Sequence, residues 1–324
     1  MKLKIGNVTL ENNVLLAPMA GVTDKAFRVI TKPFGPALMY TEMVSGKGLF
    51  YEDKKTAKLM ETEESEGLTA VQIFGHEPEV LSKISAESLK FGAAILDINM
   101  GCPAPKVAGN GGGSALMKSP QLAGEIVSAV ASAVSVPITV KMRAGWDNES
   151  LNAVELARIC EAAGAKAITV HGRTRVQMYA PPVNYDIIKE VKRSVAVPVI
   201  ANGDIRDGKS AKFVYDYTGC DFVMVGRAAQ GNPFIFSEIN AFMKGEEYTA
   251  PLLEKRLSVL LSQIELMHEY KDPHNAILES RKHTAWYLGG IRGAAALRRM
   301  CGEISCLDDI KRICEKALEQ NKDM

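Results

Sequence analysis

Residues 197–227 read VPVIANGDIRDGKSAKFVYDYTGCDFVMVGR. They hold two short, apolar, β-rich runs, Val197–Ala201 and Asp221–Val225. The first ends in Asn202-Gly203-Asp204 and the second in Gly226-Arg227. Six further runs of the same kind lie upstream: Val14–Ala17, Ala37–Tyr40, Thr69–Phe74, Ala94–Ile98, Pro137–Lys141 and Ala167–Val170. Helix-patterned stretches such as Glu79–Lys90, Gln121–Val134, Ser150–Ala163 and Tyr185–Ser194 separate most of them. Continuous apolar strands alternating with helices indicate a parallel sheet covered on both faces. Eight such units are the count of a (β/α)8 TIM barrel. A doubly wound open sheet is the competing architecture, but its Gly-x-Gly-x-x-Gly turn after the first strand is absent, which favours the barrel.

After Gly226 the pattern changes. GNPFIFSEINAFMKG reads as the last helix of the barrel and Gly245–Pro251 as a polar linker. From Leu252 onward the periodicity is helical with no strand candidate. The expected organisation is an α/β barrel domain over residues 1–243 and a small all-helical domain over 252–324.

The ends of the strands carry the chemistry. They read Pro18-Met19-Ala20, Glu42, Gln72, Asn99 with Cys102, Lys141, His171, Asn202-Gly203-Asp204 and Gly226-Arg227. In a barrel these ends converge on one mouth, and the last two loops build the phosphate site. Gly203 and Gly226 let the main chain approach an anion, and Arg227 adds a charged fork. Lys141 either offsets the negative charge of a reduced flavin or serves as a Schiff-base amine. The neighbouring phosphate site and Gln72 suit the flavin better. His171 is either a base or a ligand-holding hydrogen-bond partner. Cys102 follows Asn99 by three residues, and four glycines fill Gly109–Gly113. One reading is a lid that carries a thiol over the substrate; the other is a small hydrophobe in a turn.

Composition sets the limits. The 324 residues, 47% hydrophobic and 24% charged, have the balance of a globular chain. A net charge of +1 gives no global sign of a polyanionic partner, so any nucleic-acid surface is local. The six cysteines include no CxxC pair, and Cys301, Cys306 and Cys314 lack a fourth ligand at a recognisable spacing. Reduced thiols and no metal site are expected. MKLKIGNVTLENN lacks the apolar core of a signal peptide and no run of about 18 apolar residues occurs, which points to a cytoplasmic chain without a membrane span. Residues 281–300, RKHTAWYLGGIRGAAALRRM, contain Arg281, Lys282, Arg292, Arg298 and Arg299 and no acid. They are either a solvated face or a surface for folded RNA, with His283, Trp286 and Tyr287 as stacking planes.

Together LAPMAGVTDKAFR, TEMVSGKGL, VQIFG, DINMGCPAPKV, VKMRAGWD, ITVHGRTR, VIANGDI and MVGRAAQGNPFIF closely resemble the bacterial tRNA-dihydrouridine synthases. The resemblance runs in order from about residue 15 to 236, and WYL…RR continues it into the helical segment. It implies FMN as cofactor, NADPH (or NADH) as reductant and tRNA as partner, and no stable protein partner; a monomer is the default expectation. FMN contacts are implied for Pro18, Met19, Ala20, Gln72, Lys141, His171, Asn202, Gly203, Asp204, Gly226 and Arg227. Asn99 is implied as a base contact and Cys102 as the proton donor to uracil C5. Arg143 and Arg173 look like RNA-side contacts at the mouth; the basic run, the least family-like stretch, is expected to grip RNA beyond it through Lys282, Arg292, Arg298 and Arg299. A uridine stacked in folded tRNA must be extruded to reach a barrel mouth. The sequence departs from the family at Val176–Pro182, which bears on fine specificity. Two rivals make different predictions: an FMN barrel acting on a free pyrimidine needs no basic helical appendage, and an RNA-binding protein with an idle barrel would not be yellow.

Overall fold

The computed structural model describes residues 3–50 and 54–322. Eight parallel strands form one sheet: β1 (Val14–Leu16), β2 (Met39–Ser45), β3 (Thr69–Phe74), β4 (Ile95–Met100), β5 (Ile138–Arg143), β6 (Ala167–His171), β7 (Val199–Asn202) and β8 (Phe222–Val225). Their order is β1-β8-β7-β6-β5-β4-β3-β2. The ring closes where Ala37 N–H donates to the Val14 carbonyl at 2.9 Å and Leu16 N–H to the Leu38 carbonyl at 3.0 Å. This is the (β/α)8 barrel expected from the strand count.

The strands read as unbroken apolar runs because both faces are covered. Along β4 every residue is buried, yet the two faces differ. Leu96, Ile98 and Met100 join the layer packed under the surrounding helices, whereas Asp97 and Asn99 bond laterally to strand neighbours inside the ring. That is the period-2 alternation of a strand, with polar groups on the inner face.

The α-helices of seven or more residues are α1 (Lys25–Thr31), α2 (Pro78–Ser88), α3 (Pro120–Ala133), α4 (Ala153–Ala162), α5 (Tyr185–Ser194), α6 (Gly208–Thr218), α7 (Ile235–Lys244), α8 (Leu253–Tyr270), α9 (Pro273–Tyr287), α10 (Ala294–Met300) and α11 (Leu307–Gln320). Two details differ from the sequence reading. Residues 37–38 make the closing contact with β1, so β2 begins at Met39. It then runs on to Ser45 through a bulge between Tyr40 and Met43. A hairpin of Leu3–Ile5 and Val8–Leu10 precedes the barrel. It seats Ile5 and Leu10 against inward residues such as Leu15, Ala70, Ile200 and Met224 and plugs the floor.

Helices α8–α11 share a second core, formed among others by Leu260, Ile264, Met267, Tyr287, Leu297 and Ile310. Ala26 of α1 and Phe234 extend that core into the barrel. Gly231, at φ +67°, lets the backbone of the barrel meet that of α9: a Cβ there would come within 2.4 Å of the Trp286 carbonyl carbon. Lys271 links the two parts, 2.5 Å from Asp24 and 2.6 Å from Glu279.

The structure corrects the reading of the aromatic residues in the basic segment. His283 and Tyr287 are fully buried. The Tyr287 hydroxyl donates to Gln263 Oε1 at 3.0 Å, and Gln263 Nε2 lies 3.0 Å from His283 Nδ1. Of the three rings only Trp286 is partly exposed, and it stands edge-on to His283. Arg281 is half-buried, with two hydrogen bonds to the Ile304 carbonyl.

Candidate active site

The barrel mouth opens into a cleft of about 670 Å³. That lies within the size range of small-molecule sites, about 300–1,000 Å³. Pro18, Met19, Ala20, Gln72, Asn99, Cys102, Lys141, Arg143, His171, Asn202, Gly203, Asp204, Gly226 and Arg227 all line it. Residues picked from seven separate strand ends therefore share one cavity, as a barrel requires, while Glu42 of β2 accepts the Gly21 N–H instead of lining it.

One wall is a run of amides. The Asn99 side-chain oxygen accepts the N–H groups of Gly101 at 3.1 Å and Cys102 at 2.8 Å. Its nitrogen donates to Gln72 Oε1 at 2.8 Å, and Gln72 Nε2 donates to Asp97 at 2.6 Å. The Ser114 N–H binds the Cys102 carbonyl at 3.1 Å from the other side. Gly113, at φ +57°, backs the thiol: a Cβ there would stand 2.9 Å from the Cys102 carbonyl oxygen and 3.2 Å from its Cβ. The glycine run is not a loose lid. The N–H groups of Gly109, Asn110, Gly111 and Gly112 all donate to the turn Pro105–Ala108. Burial pushes the Cys102 thiol up, outweighing the Ala104 N–H and the Arg143 and Lys141 cations that act the other way. A raised thiol keeps its proton at neutral pH.

The second wall is cationic. Lys141 Nζ donates to Asn202 Oδ1 at 2.9 Å. Burial and the Arg143 guanidinium bring the Lys141 ammonium down to about 8, with Asp97 and Cys102 opposing. Burial, followed by Lys141, Arg143, Arg173 and Arg227, holds His171 well below the ordinary imidazole value. The ring is therefore neutral at pH 7 and serves as a hydrogen-bonding group rather than a cation.

The third wall is the corner expected to take an anion. Gly203, at φ +122°, packs against His171 and Val183, where a Cβ would meet Val183 at 2.6 Å. Gly226 lines the cleft, and a Cβ there would make only ordinary contacts, with Ala17 Cβ at 3.8 Å and Met19 Sδ at 3.9 Å. Arg227 is half exposed, 3.2 Å from Asp204 and 4.5 Å over the Tyr179 ring. Burial pushes the Asp204 carboxyl up, but the Arg173 hydrogen bond and the Arg173, Arg206 and Arg227 charges hold it below the usual carboxylate range.

An anion corner, a half-buried lysine and a run of amides are a donor set that fits flavin mononucleotide, with phosphate at one end and a polar-edged ring system at the other. Arg143 lines the cleft, but it is buried and donates to the carbonyls of Gly101, Thr174 and Met178. Arg173 sits behind the wall, forked onto Asp204 at 2.6 and 3.1 Å and bonded to the Pro181 carbonyl at 2.6 Å. Its guanidinium is engaged inside the protein rather than presented at the mouth. Lys282 stands at the rim, 3.1 Å from where a Cβ on Gly21 would be. Arg292, Arg298 and Arg299 are exposed, further out on the helical part. Sequence reasoning missed Asp97, Met43 and Tyr179. Their signal was the alternation of polar residues along β4, the continuation of β2 past Tyr40, and an aromatic in the loop after β6.

The dihydrouridine synthase family model matches residues 15–322. A probable tRNA-dihydrouridine synthase of Rickettsia conorii is 41% identical over 319 residues, 98% of this chain and 96% of the relative. The tRNA-dihydrouridine synthase B of Vibrio vulnificus is 41% identical over 298 residues, 92% of each chain. That of Shewanella oneidensis is 42% identical over 287 residues, 88% of this chain and 89% of the relative.

Proposed function

The chain belongs to the dihydrouridine synthase family, and from that membership we propose that it is a tRNA-dihydrouridine synthase, a flavin-dependent oxidoreductase that saturates the C5=C6 bond of D-loop uridines. FMN is the proposed cofactor and NADPH, or NADH, the reductant. The observation that carries the reading is the position of Cys102. Its protonated thiol lines the same cleft as Lys141, Gln72 and the Arg227 corner, and the Asn99 amide fixes its backbone.

When bound, the flavin supplies hydride to C6 of the uracil. The residues of the chain do the rest. Gly203, Gly226 and Arg227 would hold the phosphate, with Asp204 keeping Arg227 in place. Pro18, Met19, Ala20, Gln72, Lys141, His171 and Asn202 would line the ring, Lys141 contributing the positive charge that favours its reduced form. Asn99 would hydrogen-bond the uracil. The Cys102 Sγ holds the proton that C5 requires, and its raised affinity for that proton keeps it a donor. Arg143 would act at the mouth through the loops that it braces. Arg173 would act at one remove, through Asp204.

Residues 1–243 are the catalytic domain in this reading and 252–324 the tRNA-binding one, with Lys282, Arg292, Arg298 and Arg299 on the RNA side. We place the enzyme in the cytoplasm as a monomer without a stable protein partner. No helix among the described residues is long and apolar enough to cross a membrane.

The test is direct. Purified protein should be yellow and, given NADPH, should add two hydrogens to a D-loop uridine of unmodified tRNA, read by mass spectrometry. Reduction of free uracil with no change in tRNA would favour a small-molecule reductase. Colourless protein with RNA affinity alone would favour the idle-barrel reading.

A further inference from the structure

Asp97 lies at the end of the amide run, fully buried on the inner face of β4. Its Oδ1 accepts the Thr139 hydroxyl at 2.5 Å and its Oδ2 accepts Gln72 Nε2 at 2.6 Å. Lys141 is near enough to act on it by charge, but no cation is hydrogen-bonded to it among the described residues. A buried carboxylate without a bonded counter-ion is costly, and neither an apolar core nor strand pairing needs one.

The chemistry of the two ends explains its presence. A carboxylate can only accept, and a backbone N–H can only donate. Gln72 must therefore turn its nitrogen to Asp97, which leaves its oxygen for Asn99. Asn99 must then present its nitrogen to Gln72 and its oxygen to the loop, where it meets the Gly101 and Cys102 N–H groups. Two amides that could each flip have a single consistent arrangement, dictated from both ends. Burial pushes the Asp97 carboxyl up to about 6, with Gln72, Thr139 and Lys141 opposing, so near neutral pH it is chiefly the ionised, accept-only form.

We propose that Asp97 is a positioning residue: the acceptor oxygen it turns to Gln72 sets the direction of the Gln72–Asn99 relay and thereby fixes the backbone that carries Cys102. It touches no reacting atom. The proposal adds to the function argued above a reason for the polarity of the amide wall, and it rests on that reading only for the role of Cys102.

Direction can be tested by reversal. In Asp97→Asn the new side chain still offers an oxygen to Gln72 and gives its nitrogen to Thr139, whose hydroxyl can accept. The relay keeps its sense. In Asn99→Asp one carboxylate oxygen faces Gln72 Oε1, and the repulsion turns the side chain off the loop N–H groups. Gln72 cannot satisfy two carboxylates with one nitrogen. The double variant Asp97→Asn/Asn99→Asp runs the relay backwards with every group paired.

The readout is site-resolved amide exchange of Gly101 and Cys102 in the full-length purified protein at pH 8. Asp97→Asn should match the wild type. Asn99→Asp should exchange about tenfold faster at these two amides, the scale of one lost hydrogen bond. The double variant should return to within about twofold of the wild type, a coupling expected only between residues that share a network. Fast exchange in Asp97→Asn, or a double variant no better than Asn99→Asp, folded or not, would overturn the proposal. The measurement needs neither tRNA nor turnover, so absence of dihydrouridine activity would count against the function and leave this result standing.

Discussion

Arg227 Nη2 lies 3.2 Å from Asp204 Oδ1, and that same carboxylate is gripped from behind by the Arg173 fork. Asp204 adopts φ +51°, an uncommon conformation for a residue with a side chain, directly after Gly203. The carboxylate thus belongs to the frame of the anion corner. It repels an incoming phosphate weakly, because the charges of Arg173, Arg206 and Arg227 outnumber it. Arg206 and Arg227 both line the cleft, and Arg227 also rests on the Tyr179 ring.

Arg227→Ala should therefore weaken flavin retention by about 10–100-fold, the scale of one charge-assisted hydrogen bond. Arg227 is half exposed and outside the hydrophobic core, so the melting temperature of the flavin-free protein should barely move. Equal flavin content after extensive dialysis of wild type and variant would remove Arg227 from the site.

Arg292, Arg298 and Arg299 are exposed, and Arg298 and Arg299 close the last turn of α10. Cations at a helix C-terminus also favour the helix dipole, a purely structural role. If all three contact phosphate, replacing them with alanine should weaken tRNA binding and make the slope of log affinity against log salt shallower by about 2–3. Flavin reduction by NADPH should be unaffected. An unchanged slope would leave only the structural role.

His283 makes a prediction about acid stability. Burial holds its imidazole down to about 4; Lys282 and Lys271 push the same way, and Asp24 and Glu279 oppose. A folded-state value below the unfolded one, about 6.5, means the unfolded chain takes up the proton first. Stability is full above pH 6.5 and is lost as pH falls toward 4, by about 2 kcal/mol at pH 5. His171 acts in the same direction, and Asp97, whose carboxyl is raised, acts oppositely. The contribution of His283 is therefore read as a difference: His283→Gln should flatten the fall in unfolding free energy between pH 7 and pH 5. Parallel curves for wild type and variant would show that His283 is not buried neutral.

The strand count and the mouth were legible because they follow from local chemistry. Val199–Asn202 and Phe222–Val225 are apolar on both faces and end in glycine-bearing turns wherever the chain sits in space. The hairpin at Leu3–Leu10 was not legible, since three-residue strands carry too little periodicity. Nor were the assignments of Arg173 and of the His283 and Tyr287 rings. A guanidinium or a ring looks the same in sequence whether it faces solvent or a buried partner. Only the positions of Asp204 and Gln263, 31 and 20 residues from Arg173 and His283, decide it. The polarity of the amide wall belongs to the same class, because it depends on three adjacent strands.

Cys102→Ala should separate two halves of the reaction. The thiol lines the cleft, where the Ala104 N–H acts on its sulfur. Its N–H and carbonyl, bonded to Asn99 and Ser114, remain in alanine. Flavin binding and reduction by NADPH should therefore be normal, since hydride from a nicotinamide needs no proton from Cys102. Uridine reduction does need one at C5, and a positioned general acid contributes about 10²–10⁴-fold. Burial strengthens the hold of this thiol on its proton, so the wild type should stay active as pH rises to 8 rather than lose its donor there. Serine should rescue poorly, because its hydroxyl is a far weaker acid. The deciding measurement is anaerobic stopped flow: reduce each protein with NADPH, add unmodified tRNA and follow reoxidation of the flavin. A wild-type rate in the alanine variant would take Cys102 out of the mechanism. Slow reduction by NADPH in that variant would show instead that the substitution had disturbed the flavin site itself.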